Sequence, residues 1–381
     1  MFYLTIIIFF IICVVVFDIK KQTNDKDVAY FICFLLLTIM CSIRYKVGGD
    51  SLAYENYYAN MPDLSNMVDY MEFNPLQYQP FWIFLVSFCR SITKEFYFFQ
   101  FIHALLFNIS LFVFIRRYTQ HIFSTLLLLF LSLMYFYYGF EIQRETLSLS
   151  VFLFNIKNLE KNRWTKYYLL ATVSFLFHIS AIILFFLPLF KRVKLTKKMI
   201  FILLFFSAIL FFFKDIIFSV LTPFLILESM KDKADIYSGM SFSLIGFISF
   251  FIVRVILLLP FLAYRITSKS SGYKWFDFLF LFISILSQYF VGFERLLNYF
   301  YPIYFILFIN FIYEKKTLEL GILAKKLIVV ITLVHIFFII DYKLFIKNPA
   351  GQHYYSLFFP YETIFVPVDV HEREDFYYNQ W

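Results

Sequence analysis

Read as a pattern of apolar and polar positions, the chain is a series of long hydrophobic runs separated by short charged loops. Residues 125–136 and 200–213 would be apolar on every face of a helix. A helix needs about 20 apolar residues to cross a hydrocarbon core. A membrane β-barrel would instead alternate apolar and polar positions in segments of about ten. The pattern predicts an all-α polytopic integral membrane protein of roughly ten to twelve transmembrane helices. They fall at 2–17, 28–43, 97–115, 122–138, 144–157, 167–188, 199–213, 241–264, 275–290, 296–313 and 327–341. Shorter apolar pieces cover 80–93 and 216–228. No repeat or linker divides these runs. One membrane domain over 1–342 is expected, followed by an external tail over 343–381.

Composition supports that class. Hydrophobic residues make up 61% of the chain and charged residues 16%, against about 45–50% and 25% in a soluble domain. Such a surface needs lipid as its solvent. The net charge of +8 sits in the loops, where cytoplasmic retention of Lys and Arg and attraction to anionic lipid account for it. No nucleic-acid partner is implied. Cys13, Cys33, Cys41 and Cys89 match no ligand spacing and read as small core residues. Residues 1–17 lack a basic leader and a small-residue cleavage site, so they read as a retained first helix.

Placing the basic segment 20–26 inside puts the polar connection 44–79 outside, along with 139–143, 291–295 and the tail. Two places break the alternation. The piece 80–93 adds a crossing that the charges do not allow, which suggests a re-entrant or interfacial helix. The strip 191–198 carries Lys191, Arg192, Lys194, Lys197 and Lys198, yet would be external if 167–188 crossed once. Either that span breaks near His178 or the strip faces outward.

Four clusters could carry chemistry. Arg44, Gly48, Gly49, Asp50 and Tyr54 follow the second helix, where a Gly pair before Asp suggests a tight turn. The plainer reading is a helix-end Arg reaching the headgroups, then an ordinary turn. Glu141, Arg144, Ser148 and Asn155 share one helical face. They could meet a cavity, or Glu141 and Arg144 could simply pair at the interface. His178 is followed by Ser180; His103 and His335 carry the structural default for a lone intramembrane histidine. Glu294 and Arg295 follow Gly292 and could be an interfacial ion pair. Arg254, near the middle of a run, calls for Asp277 or Asp215 to neutralise it. Walker, dinucleotide, HExxH and CxxC motifs are absent from the sequence, which argues against a nucleotide-driven pump or a zinc protease.

Taken in order, these stretches resemble the EpsG-type family of Wzy-like bacterial polysaccharide polymerases over nearly the full length. That family shows an Arg, Gly-x-Asp and Tyr after its second helix, matched by Arg44, Gly48, Asp50 and Tyr54. A Gln-Arg pair opening a helix is matched by Gln143 and Arg144, and a His-x-Ser-Ala element by His178, Ser180 and Ala181. A late external Arg is matched by Arg295, and Pro360-Tyr361 resembles the family's tail. Glu145 departs from the pattern, standing where a second Gln or Arg-Gln often follows.

The resemblance implies a multi-pass protein of the bacterial inner membrane, without a cofactor or metal, that joins polyprenyl-diphosphate-linked oligosaccharides on the outer face. O-antigen, capsule or exopolysaccharide would be the product. Membrane lipid, a flippase and a chain-length regulator would be partners. It also implies Arg44, Arg144 and Arg295 as diphosphate ligands, since planar guanidinium forks suit phosphate oxygens. His178 would be the base and Asp50 a second catalytic group, with Gln143 and Tyr54 in support. Two rivals remain. One is a glycosyltransferase using a polyprenyl-phosphate sugar, with Asp50 basic or metal-linked, disfavoured by the lack of a second acidic residue nearby. The other is a non-enzymatic flippase, which would spread its cations along a central cavity.

Overall fold

A computed structural model describes residues 1–74, 77–221, 244–267, 273–290, 292–314, 321–348 and 351–378, the side chains of 214–221 excepted. Among the described residues the chain is helical, and its β contacts are isolated bridges, one of them joining Arg44 to Thr363. The all-α class holds. The chain forms two compact units. The first comprises Met1–Phe185, Ile303–Tyr313 and Ile340–Trp381; the second comprises Phe186–Pro302 and Glu314–Ile339.

The first unit carries α1 (Phe2–Cys13, continued by a π-turn over Val14–Ile19), α2 (Lys26–Ser42), α3 (Ser51–Asn60), α4 (Met67–Phe73), α5 (Pro80–Ile92), α6 (Phe96–Tyr118), α7 (Ile122–Leu131), α8 (Met134–Phe136, continued by a π-turn over Tyr137–Glu141), α9 (Gln143–Glu160) and α10 (Trp164–Phe177). Lipid gives such helices no hydrophobic reason to associate. Close packing and interhelical hydrogen bonds do so instead, the latter at about 0.6–2 kcal/mol each. Ser148 Oγ donates to the Ser174 carbonyl at 2.7 Å, and Asn155 Nδ2 to the Tyr167 carbonyl at 2.8 Å. Seven residues forward in α9 thus match seven backward in α10. The pair is antiparallel in fixed register, and Arg144 stands level with His178. Half of the expected polar stripe is therefore helix-packing glue.

Two ends of this unit can be told apart. At one, Arg116 pairs with Asp27 at 3.1 Å, Lys26 Nζ donates to the Gln120 carbonyl, and Ser124 donates to Asp18. At the other lie residues 44–79 and the tail. Helix α5 leaves that second end and returns to it: the Tyr58 hydroxyl donates to the Thr93 carbonyl at 2.8 Å, and Lys94 bonds Asp63 at 2.6 Å. A helix pinned at both ends to one loop does not carry the chain across.

Two expected spans are broken. The segment 122–138 bends by 81° between α7 and α8, at Leu133 with φ +50°. Helix α10 stops at His178, whose backbone is extended. After a single turn over Ile179–Ala181, α11 (Ile182–Phe190) sets off. It doubles back, because the Tyr167 hydroxyl donates to the Leu184 carbonyl at 2.5 Å and Phe185 packs on Tyr168 and Phe175. Residues 167–188 are thus a hairpin and not one crossing, which removes the conflict with the basic strip at 191–198.

The second unit contains α12 (Lys197–Leu221), α13 (Leu244–Phe251), α14 (Leu259–Thr267), α15 (Lys274–Leu286) and α16 (Phe293–Leu297); α17 (Tyr301–Tyr313) and α18 (Ile322–Ile340) each run on into the first unit. Arg254 pairs with Glu294 at 2.7 Å, and Asp277 is held by Arg265 at 2.6 Å. Glu294, not Asp277, therefore neutralises Arg254. The Asp215 side chain and residues 222–228 lie outside what is described. Among the described residues four helices are long and apolar enough to cross a membrane, at Phe2–Ile19, Phe96–Tyr118, Leu244–Thr267 and Gly321–Phe345. The bent pair would make five. Shorter apolar helices lie at Pro80–Ile92, Ile179–Phe190 and Tyr301–Tyr313.

Candidate functional site

The turn after α2 is built from both ends of the sequence. Gly48 adopts φ +106°, open to glycine at no steric penalty. A Cβ there would sit 2.7 Å from Phe140 Cβ. The tail laces over this turn. Gly48 N–H donates to the Leu357 carbonyl at 2.8 Å, Tyr45 N–H to Glu362 at 2.9 Å, and Ile364 N–H to Ile43 at 2.9 Å. The Tyr361 hydroxyl donates to the Met40 carbonyl at 2.6 Å. Outside, Lys46 bonds Asp369 at 2.9 Å and Glu374 at 2.6 Å.

Arg44 is fully buried inside the turn. Its Nε donates to the Val47 carbonyl at 3.1 Å, Nη1 donates to the Cys41 carbonyl, and the guanidinium lies 4.7 Å from the centre of the Phe140 ring. A cation at a helix C-terminus satisfies its last carbonyls and the negative end of its dipole. Burial draws its pKa down to about 10, so the charge persists at neutral pH. The groups acting on it are Cys41, Tyr361, Tyr3 and Tyr135, none of them a carboxylate. Gln100 Nε2 braces the same corner, donating to the Ser42 carbonyl at 2.7 Å and the Arg44 carbonyl at 3.0 Å. Arg44 thus clamps this turn through its Nε and Nη1.

Arg144 is half-buried, with its guanidinium 4.6 Å from the centre of the Tyr78 ring. It also bonds Tyr54. Burial pushes the Tyr54 hydroxyl up to about 12, and Arg144 beside it pulls the other way. Tyr54 and Tyr78 belong to an aromatic cap with Tyr58, Trp82 and Phe99 over the end of α9. Asp50 is exposed at the start of α3, close enough to act on Glu141, Tyr54 and Tyr354.

Glu141 is only 7% exposed. Its Oε1 accepts the Tyr354 hydroxyl at 2.7 Å, and Gly49 N–H also donates to the carboxylate. These two donors, from distant parts of the chain, hold the group in place. Lys343 and Asp50 act on it electrostatically. Burial first, and then negative Glu141, keep the Tyr354 hydroxyl well above its ordinary range, so it remains a proton donor. Glu141 therefore takes the tail's tyrosine, and not Arg144, as its hydrogen-bond partner. It also supplies the acidic neighbour of Asp50 that the sequence did not reveal.

His178 is buried where α10 ends. Its Nδ1 accepts the Ser180 N–H at 3.3 Å and lies 2.6 Å from Ser180 Oγ. With Nδ1 occupied as an acceptor, the neutral ring carries its proton on Nε2. In that tautomer Nε2 is a donor. Gln143 points inward, fully buried, and its backbone carbonyl meets His103 Nε2 at 3.1 Å. Arg295 is exposed on α16 of the second unit.

The structure thus brings Asp50, Tyr54 and Arg144 together, with His178 at the level of Arg144, while Arg44 and Gln143 are fully buried. Sequence reasoning missed Glu141 as the tail's partner, Tyr354, Tyr78 and Gln100. The EpsG family model matches residues 27–363. No curated protein and no solved structure matches the chain.

Proposed function

We propose, for a chain that belongs to the EpsG family and is a membrane protein of polysaccharide biosynthesis, that it polymerises oligosaccharide units carried on polyprenyl diphosphate at the outer face of the bacterial inner membrane. The observation that carries this reading is the Arg144 guanidinium, stacked 4.6 Å from the Tyr78 ring, beside Tyr54 and level with His178. A planar fork held by an aromatic face can bind a phosphate bidentately as charge develops on the leaving oxygen. His178 Nε2–H would donate to the same leaving group, and exposed Asp50 would receive a sugar hydroxyl. The family pattern implies a substrate role for Arg295 as well, while Arg44 supports the turn that presents Asp50.

The second reading is a glycosyltransferase using a polyprenyl-phosphate sugar. Glu141 beside Asp50 favours it, because paired carboxylates suit a metal-linked or basic role. Deletion separates the two. A polymerase lost should leave single repeat units on the carrier and no long surface polysaccharide; long chains lacking one branch would replace the first reading with the second. In purified protein, Arg144→Lys should impair elongation nearly as much as Arg144→Ala, because lysine keeps the charge but not the fork. Full elongation by Arg144→Lys would reduce the site to a simple positive charge.

A further inference from the structure

Elongation requires a group that takes the proton from the acceptor hydroxyl. His178 does not supply it at Nε2, which carries a proton in the neutral ring, while Nδ1 is engaged by Ser180. We propose that Glu141 is this base, held in position by the Tyr354 hydroxyl of the C-terminal tail, an inference that rests on the polymerase reading.

Three observations converge on it. Glu141 is nearly buried, yet its carboxylate lies beside exposed Asp50 and three residues before Arg144, where the diphosphate is proposed to bind. It is fixed by two donors from distant parts of the chain, Tyr354 Oη–H at 2.7 Å and Gly49 N–H. Those donors leave it an acceptor with a set orientation, as a proton-accepting base must be. Asp50 is the weaker candidate because it is exposed to water. Tyr354 is excluded because its hydroxyl stays protonated.

In the step, the acceptor O–H proton passes to the Glu141 carboxylate while the acceptor oxygen bonds to the donor's anomeric carbon. The bond from that carbon to the diphosphate oxygen breaks, and its electron pair leaves with the polyprenyl diphosphate. Arg144 and the Nε2–H of His178 receive the charge. The proton on Glu141 then returns to solvent or to the departing diphosphate.

The test uses full-length protein in detergent with lipid-linked repeat units, following donor binding and chain growth separately. Glu141→Gln keeps the shape and can still accept from Tyr354, so donor affinity should stay at the wild-type value. Elongation should fall by about 10²–10⁴-fold, the usual contribution of a positioned base. Tyr354→Phe removes a donor to the charged carboxylate and should raise its pKa. The acidic limb of the elongation–pH profile should then move to higher pH with donor affinity unchanged, a displacement that loss of packing alone would not produce. Near-normal elongation by Glu141→Gln would overturn the base while leaving the polymerase reading intact. If that variant does not accumulate, an unmoved pH limb in Tyr354→Phe overturns it instead. Failure of the wild-type protein to elongate any lipid-linked unit would sink the polymerase reading first, and the base with it.

Discussion

Replacing Gly48 with alanine should unfasten the turn on which Asp50 sits. Two separate penalties apply. Gly48 has φ +106°, and positive φ costs a residue with a Cβ about 1–2 kcal/mol. The added methyl would also lie 2.7 Å from Phe140 Cβ and 3.3 Å from the Phe140 carbonyl oxygen. Both atoms are fixed by backbone, so relief requires moving the chain, at about 1–3 kcal/mol for an overpacked position. Together the change should destabilise the first unit by about 2–5 kcal/mol. The disturbance would spread, because the Phe140 ring underlies the Arg44 guanidinium and Gly48 N–H is tied to Leu357 of the tail. Gly49→Ala is the internal control. Its Cβ would meet Leu357 Cδ1 at 3.3 Å, the far end of a flexible side chain, and Glu141 Oε1 at an ordinary 3.5 Å contact, so a loss of about 1 kcal/mol is expected. Thermal unfolding of the detergent-solubilised protein, followed by tyrosine and tryptophan fluorescence, reads both. At about 2–4 °C per kcal/mol for a body of this size, Gly48→Ala should lower the midpoint by about 4 °C or more. An unchanged midpoint, or a larger fall in Gly49→Ala, would refute the steric reasoning.

Other consequences can be measured in the same preparations. Asp277→Asn removes the carboxylate that holds Arg265, and both side chains are buried. Stranding a buried charge typically costs about 3–5 kcal/mol, whereas replacing both partners with apolar residues should recover most of the loss; thermal unfolding of the single and double variants decides this. Lys46 holds the exposed Asp369 carboxyl below its ordinary range, chiefly by hydrogen bonding and with help from Tyr45. The stabilisation is therefore present above the usual aspartate pKa of about 4 and fades as pH falls through the lower folded value. Protease protection of the tail should persist at mildly acidic pH, fail only in stronger acid, and be weakened at neutral and mildly acidic pH in Lys46→Met. Identical tail cleavage in wild type and Lys46→Met would show that the latch contributes nothing.

The membrane class was legible because it depends on average apolarity over long windows, which no local contact can reverse. Continuity of the spans was not. A window over 167–188 averages across His178, yet the chain reverses there because the ring's Nδ1 takes Ser180 N–H and caps the turn that begins α11. Charge counting registered this reversal indirectly, as five basic residues on the wrong side of an assumed crossing. The bend at Leu133 left no such trace, since a leucine at φ +50° belongs to a residue type that gives no turn signal.

The site divided along the same physical line. Turn chemistry is local, so Gly48, Gly49 and Asp50 mark their own geometry, and the helical spacing of Arg144, Ser148 and Asn155 marks one face of α9. What each polar group bonds to is not local. Glu141 precedes the helix start at Gln143 and so leaves the stripe it shares on a helical projection; its partner Tyr354 lies 213 residues away. Arg44 shows the converse. Its position after α2 suits an external phosphate ligand as well as a helix clamp, and the two differ only in where the side chain turns. Gln100, with both of its donated bonds on that corner, helps fix the inward course. A polymerase built this way would place one arginine where the substrate's charge is met and keep another beneath it to hold the loop. Arg44→Lys should then lower stability and elongation together, whereas Arg144→Lys lowers elongation alone. An Arg44→Lys protein as stable as wild type yet unable to bind the donor would return Arg44 to the substrate side of the turn.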